Sequence, residues 1–63
     1  MLIKQKIKQF DIVRLIDGRE GTVLEIYDFS NRPRGYDIEL SEQEGEIVTV
    51  TDEQIDEVIW EKP

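Results

Sequence analysis

The side chains able to do chemistry in this chain are almost all carboxylates. Fifteen Asp and Glu residues stand against eight Lys and Arg, with no His and no Cys. Without His, no side chain has an ordinary pKa that puts proton transfer near neutral pH, and without Cys there is no thiolate nucleophile or soft metal ligand. Ser30 and Ser41 are the only serines, and neither has an obvious base beside it. Carboxylate pairs can act as acid and base, but 63 residues offer little depth for the desolvated pocket that would raise one pKa. Glu42, Glu44, Glu46, Asp52, Glu53, Asp56 and Glu57 are therefore expected as solvated surface charge. The run Glu42-Gln43-Glu44-Gly45-Glu46 also lacks the register of a calcium loop, which spaces its oxygen ligands at alternate positions before a glycine. No catalytic residue, no metal site and no cofactor is expected, and an enzyme is disfavoured.

Charge is divided unevenly along the chain. Residues 1–34 carry seven basic groups and five acidic ones, a net of +2, whereas residues 35–63 carry Lys62 alone against ten carboxylates, a net of −9. The whole is −7 at neutral pH, a field that repels phosphate backbones and favours cationic partners while keeping a small protein soluble. The start, Met1-Leu2-Ile3-Lys4-Gln5-Lys6, has no apolar run of signal-peptide length, and nothing approaches the roughly 20 apolar residues of a membrane span. A cytoplasmic protein that makes no membrane contact is expected.

The elements that must position any contact residues read as strands. Phe10 to Leu15 is rich in β-formers and runs into Asp17-Gly18, a turn signal. Thr22 to Tyr27 is the next apolar run. Ser30-Asn31-Arg32-Pro33-Arg34-Gly35 cannot sit inside a central strand and is expected as an exposed loop. Tyr36-Asp37-Ile38-Glu39-Leu40 alternates apolar with acidic, the pattern of a half-buried strand. After a connection through Gly45, Ile47 to Thr51 is β-branched throughout, which suits a pleated surface. Thr51-Asp52-Glu53-Gln54 has the spacing of a capping box, so one helical or 3₁₀ turn should precede a last strand ending at Trp60. Strands are thus expected near 10–16, 20–28, 35–41, 46–51 and 56–60, with residues 1–9 a loosely docked tail and 10–63 one all-β barrel. Five short strands in about 50 residues cannot fill two separate sheets. The expected core is Val13, Leu15, Val23, Ile26, Ile38, Leu40, Val48, Val50, Ile55 and Val58. Val23 and Ile26 differ in strand parity, so a β-bulge between them must let both face inward.

Gly18-Arg19-Glu20-Gly21-Thr22-Val23-Leu24-Glu25-Ile26 resembles the Gly-x-x-Gly-x-Val-x-x-Ile pattern of KOW-type SH3-like domains. The stretches Asp11 to Leu15, Tyr36 to Leu40 and Val48 to Ile55 resemble small bacterial SH3-like barrel families without a general assigned activity. The resemblance covers nearly all of residues 10–60. It implies a five-stranded SH3-like barrel with a single 3₁₀ turn before the last strand. The KOW likeness also implies a nucleic-acid or ribonucleoprotein partner, against which the excess of carboxylates argues.

Two other roles remain. In the first, the barrel is a non-catalytic protein-interaction module using Tyr27, Phe29, Tyr36 and Trp60, since aromatics with a polar tip favour interfaces. Arg32 and Arg34 add a small basic point able to grip a carboxylate. In the second, the acidic half masks a cationic surface, as an antitoxin, immunity protein or nucleic-acid mimic does. A monomer, or a weak homodimer through an open strand edge, is expected in either case.

Overall fold

The computed structural model describes residues 6–63. Its elements are β1 (Ile12–Leu15), β2 (Glu20–Tyr27), β3 (Gly35–Leu40), β4 (Ile47–Thr51), a 3₁₀ turn (Asp52–Gln54) and β5 (Ile55–Trp60). The strands form one antiparallel sheet in the order β4-β3-β2-β1-β5. The all-β reading holds, with the single turn where the capping box puts it: the Thr51 N–H donates to Gln54 Oε1 at 3.0 Å. β4 and β5 stand at opposite ends of the strand order, and among the described residues no ladder joins them.

Alternation decides which side chains are buried. Val13 and Leu15 on β1, Val23 on β2, Tyr36, Ile38 and Leu40 on β3, Val50 on β4 and Ile55 all turn inward. Burying one such aliphatic side chain contributes about 1.5–3 kcal/mol before entropy is counted. Ile26, Val48 and Val58, expected in the core, pack against it but stay partly exposed. The bulge falls where parity requires it. Val23 pairs with Ile38 and Glu25 with Asp37, which leaves Leu24 without a partner on β3 and lets Ile26 meet Tyr36. The Leu24 carbonyl accepts instead from Gln9 Nε2 at 2.8 Å.

Gly21 explains part of the glycine pattern. It sits opposite Leu40, and a Cβ there would lie 2.5 Å from both the Glu39 carbonyl oxygen and Ile38 Cγ2. The β2 backbone can approach β3 this closely only without a side chain. Gly18, at φ +97°, turns the chain between β1 and β2, where the Asp17 carboxylate accepts the Arg19 N–H at 3.0 Å. That backbone bond is the main reason the Asp17 carboxyl is held below its ordinary pKa.

Of the expected N-terminal tail, residues 1–5 lie outside the described residues. Ile7 is 3% exposed and belongs to the core cluster. Asp11 is wholly buried, accepting the Lys8 N–H on Oδ2 and the Lys62 N–H on Oδ1, both at 2.9 Å. One carboxylate therefore ties the segment before β1 to the segment after β5. Phe10, between these anchors, has φ +73°, a conformation a bulky side chain rarely adopts. Its N–H donates to the Val23 carbonyl at 2.7 Å, and the turn aims Asp11 inward.

Candidate functional site

The end of β2 and the loop that follows it hold four of the six residues named as contact candidates. Tyr27 closes β2, and its hydroxyl donates to Asp37 Oδ2 at 2.6 Å. The same carboxylate accepts Thr49 Oγ1 on its other oxygen at 2.7 Å. Tyr27, Asp37 and Thr49 thus link three neighbouring strands across the outward face. The Asp37 carboxyl is held below its ordinary pKa, first by the Tyr27 hydroxyl and then by Thr49. The Tyr27 phenol is pushed up, chiefly because it donates to Asp37.

Beyond Tyr27 the chain leaves the sheet. The Arg32 guanidinium lies over the Phe29 ring, 4.3 Å from its centroid, a cation–π contact worth about 0.5–1 kcal/mol in water. Arg34 Nη2 donates to Asp28 Oδ2 at 3.1 Å. This bond is the main reason the Arg34 pKa rises. The Arg34 carbonyl also accepts the Asp52 N–H at 3.1 Å, so the loop is pinned beside the end of β4. The basic point foreseen in the sequence thus has one arginine spent on its own loop and one stacked on an aromatic ring. Phe29 keeps 41% of its surface in water, although the core is complete without it.

Tyr36 does not join them. It is 1% exposed, because its parity with Ile38 and Leu40 points it into the core, and its hydroxyl donates to Asp52 Oδ1 at 2.6 Å. Burial, followed by that bond to a carboxylate, pushes its pKa up to about 12. Tyr36, named as a contact candidate, is thus placed in the core. Trp60 lies elsewhere, on β5, directly across from Ile12 of β1. It is 49% exposed and stands apart from the loop, with β1 between its strand and β2.

Apart from the buried Asp11, the carboxylates are spread over the surface. A groove of about 420 Å³ lies between the turn at 16–19 and the connection at 41–46, lined by Asp17, Arg19, Glu20, Leu40, Glu42 and Gln43 among others. Arg19 Nε is 2.8 Å from Asp17 Oδ2. Between β1 and β5 Arg14 pairs with Asp56 and Glu57. Both are exposed pairs of the kind worth at most about 1 kcal/mol. Among the described residues no three potential ligand side chains gather as a metal site, and no helix is long and apolar enough to cross a membrane.

Sequence reasoning missed Asp11 and Ile7. Asp11 shares the parity of Val13 and Leu15, which was a signal for burial, but its partner Lys62 is 51 positions away. Compared with protein-family models, curated proteins and solved structures, the chain matches none of them.

Proposed function

We propose that this protein is a non-catalytic interaction module on an SH3-like barrel, contacting a protein partner through the β2–β3 loop. The barrel reading is supported by the strand order, which sets β5 against β1, and by the 3₁₀ turn before β5. One observation carries the loop reading. Phe29 and Arg32 form a stacked pair held out from a loop that is braced at both ends, by Tyr27 to Asp37 and by Arg34 to Asp28. A half-exposed aromatic beside a guanidinium offers apolar area and directed charge with little rotamer entropy left to lose, the composition enriched at binding hot spots. The absence of His and Cys from the chain is the reason for leaving catalysis out.

Retention of partners on the tagged protein, in extract from its own cell, tests this reading. Phe29→Ala combined with Arg32→Ala should lose a protein that the wild type and Trp60→Ala both retain, with the urea midpoint of the double variant unchanged. A partner retained equally by all three would overturn it.

A second reading, masking of a cationic surface, is favoured by the groove bearing Asp17, Glu20 and Glu42. Its mark is a partner whose association slows steeply with salt and is indifferent to Phe29 and Arg32. A KOW-like nucleic-acid role has less support, since close strand approach accounts for Gly21.

A further inference from the structure

We propose that the outer edge of β4 receives an extended segment of a partner protein as an added strand, and that this segment carries Lys or Arg around a β-branched centre. The contact uses backbone groups of β4 rather than the Phe29–Arg32 pair and stands whether or not the loop contact does.

The backbone pattern comes first. Leu40 N–H donates to the Glu46 carbonyl at 2.9 Å and Asp52 N–H to the Arg34 carbonyl at 3.1 Å. Between these bonds the register runs Gly35 to Thr51, Tyr36 to Val50, Asp37 to Thr49, Ile38 to Val48 and Glu39 to Ile47, with no shift. Antiparallel pairs alternate between bonded and non-bonded. Val48 and Val50 therefore turn their N–H and C=O groups toward β3, whereas Ile47 and Thr49 turn theirs away from the sheet. Among the described residues no strand takes up that side of β4. The Thr51 N–H is already used by Gln54, so the open stretch is centred on Ile47 and Thr49.

The side chains do nothing to block it. Protective edges carry lysine, proline, a bulge or an inward charge, and Ile47-Val48-Thr49-Val50-Thr51 has none of these. Ile47 is 53% exposed, so a neighbouring strand would find both open backbone groups and an apolar side chain to pack on. Strand addition uses this combination, with backbone bonds for affinity and alternate side chains for specificity.

Charge selects the occupant. Asp37 and Glu39 lie on the adjoining strand, Glu44 and Glu46 precede β4, and Glu53 follows it, while no Lys or Arg occurs from 35 to 61. A second copy of this chain would bring two such sets of carboxylates together, each on a protein of net charge −7. A basic segment would neutralise them. The partner's strand is the better fit.

The test is a titration of the ¹⁵N-labelled full chain with a synthetic peptide of alternating threonine and valine flanked by paired lysines. The amides of Ile47 and Thr49 should move most. Affinity should fall at least tenfold for a peptide N-methylated at alternate residues, and again for one flanked by glutamates. It should also weaken as salt rises from about 0.01 M to about 0.15 M, where the screening length drops from about 30 Å to about 8 Å. Thr49→Pro removes an edge N–H that β3 does not use and should cost at least tenfold; the N-methylated peptide makes the same test without altering the protein. The proposal is overturned if the lysine peptide does not bind, if its shifts map to the β2–β3 loop or β5, if the glutamate peptide binds as well, or if the free protein dimerises through Ile47 and Thr49.

Discussion

β5 and β4 each end the sheet, but they do so differently. β5 meets β1 through two register shifts, between Ile12 and Val13 and between Arg14 and Leu15. It carries Asp56 and Glu57 against Arg14, and its far end is tied down where Asp11 accepts the Lys62 N–H. Among the described residues β4 has no bulge and no charge, and the bonds at its end, from the Asp52 N–H to the Arg34 carbonyl and from the Tyr36 hydroxyl to Asp52, leave the outward groups of Ile47 and Thr49 uncovered. Bulges and charges are means by which proteins make an edge unavailable, so the contrast separates a guarded edge from an open one. An edge left flat and uncharged on a chain this acidic is guarded at long range by repulsion between copies rather than by its own residues.

The largest expected effect breaks the guarded edge. Asp11→Ala leaves the Lys8 and Lys62 N–H groups without a buried acceptor. Bonds to a charged group are worth about 1.5–3 kcal/mol each, so a stability loss of about 4 kcal/mol is expected by urea denaturation. Asp11→Asn should recover little, since its amide nitrogen must face one of the two donors. If either variant keeps wild-type stability, β5 is not held by this carboxylate. Gly21→Ala comes next and strikes the β2–β3 pair from which both edges hang. Its Cβ would meet backbone 2.5 Å away, and overpacking of this kind costs about 1–3 kcal/mol.

Tyr36 supplies a smaller effect with a pH signature on the β4 side. Its folded pKa, about 12, lies above the ordinary 10.0, so the folded chain holds the phenolic proton more tightly than the unfolded one. That contribution is complete below pH 10 and is lost as pH rises toward 12. Tyr36→Phe should cost about 1 kcal/mol at neutral pH and flatten the decline of the urea midpoint between those values. A decline as steep as that of the wild type would contradict the assignment. The smallest effect sharpens the comparison. Ile47→Lys, on the open edge, should change stability by less than about 0.5 kcal/mol, because among the described residues no strand pairs with that edge and Ile47 is exposed.

How much of this was legible depended on whether a residue's partner was near in sequence. The alternation from Tyr36 to Leu40, the bulge demanded by Val23 and Ile26, and the Thr51–Gln54 box are local patterns, and each could be read directly. Tyr36 was legible too, since the parity that places Ile38 and Leu40 inside also places it there; its polar tip suggested an interface instead. Ile7 was not, and of Asp11 only the strand parity was. Ile7 stands between Lys6 and Lys8, and its burial rests on tertiary packing that no short period reveals. A buried carboxylate is tolerable only with partners, and one of those for Asp11 comes from the opposite end of the chain. In the candidate site, the loop at 30–35 was visible from its Asn, Pro and Gly, but the stacking of Arg32 on Phe29 and the capture of Arg34 by Asp28 were not. Both depend on how that loop folds back over itself.

Amide hydrogen exchange of the free protein, residue by residue, measures the contrast between the edges most directly. Ile47 and Thr49 should exchange at rates close to those of an unstructured peptide, while Val48, Val50, Lys8 and Lys62 are protected. Protection at Ile47 and Thr49 in the monomer, or rapid exchange at Lys62, would contradict it.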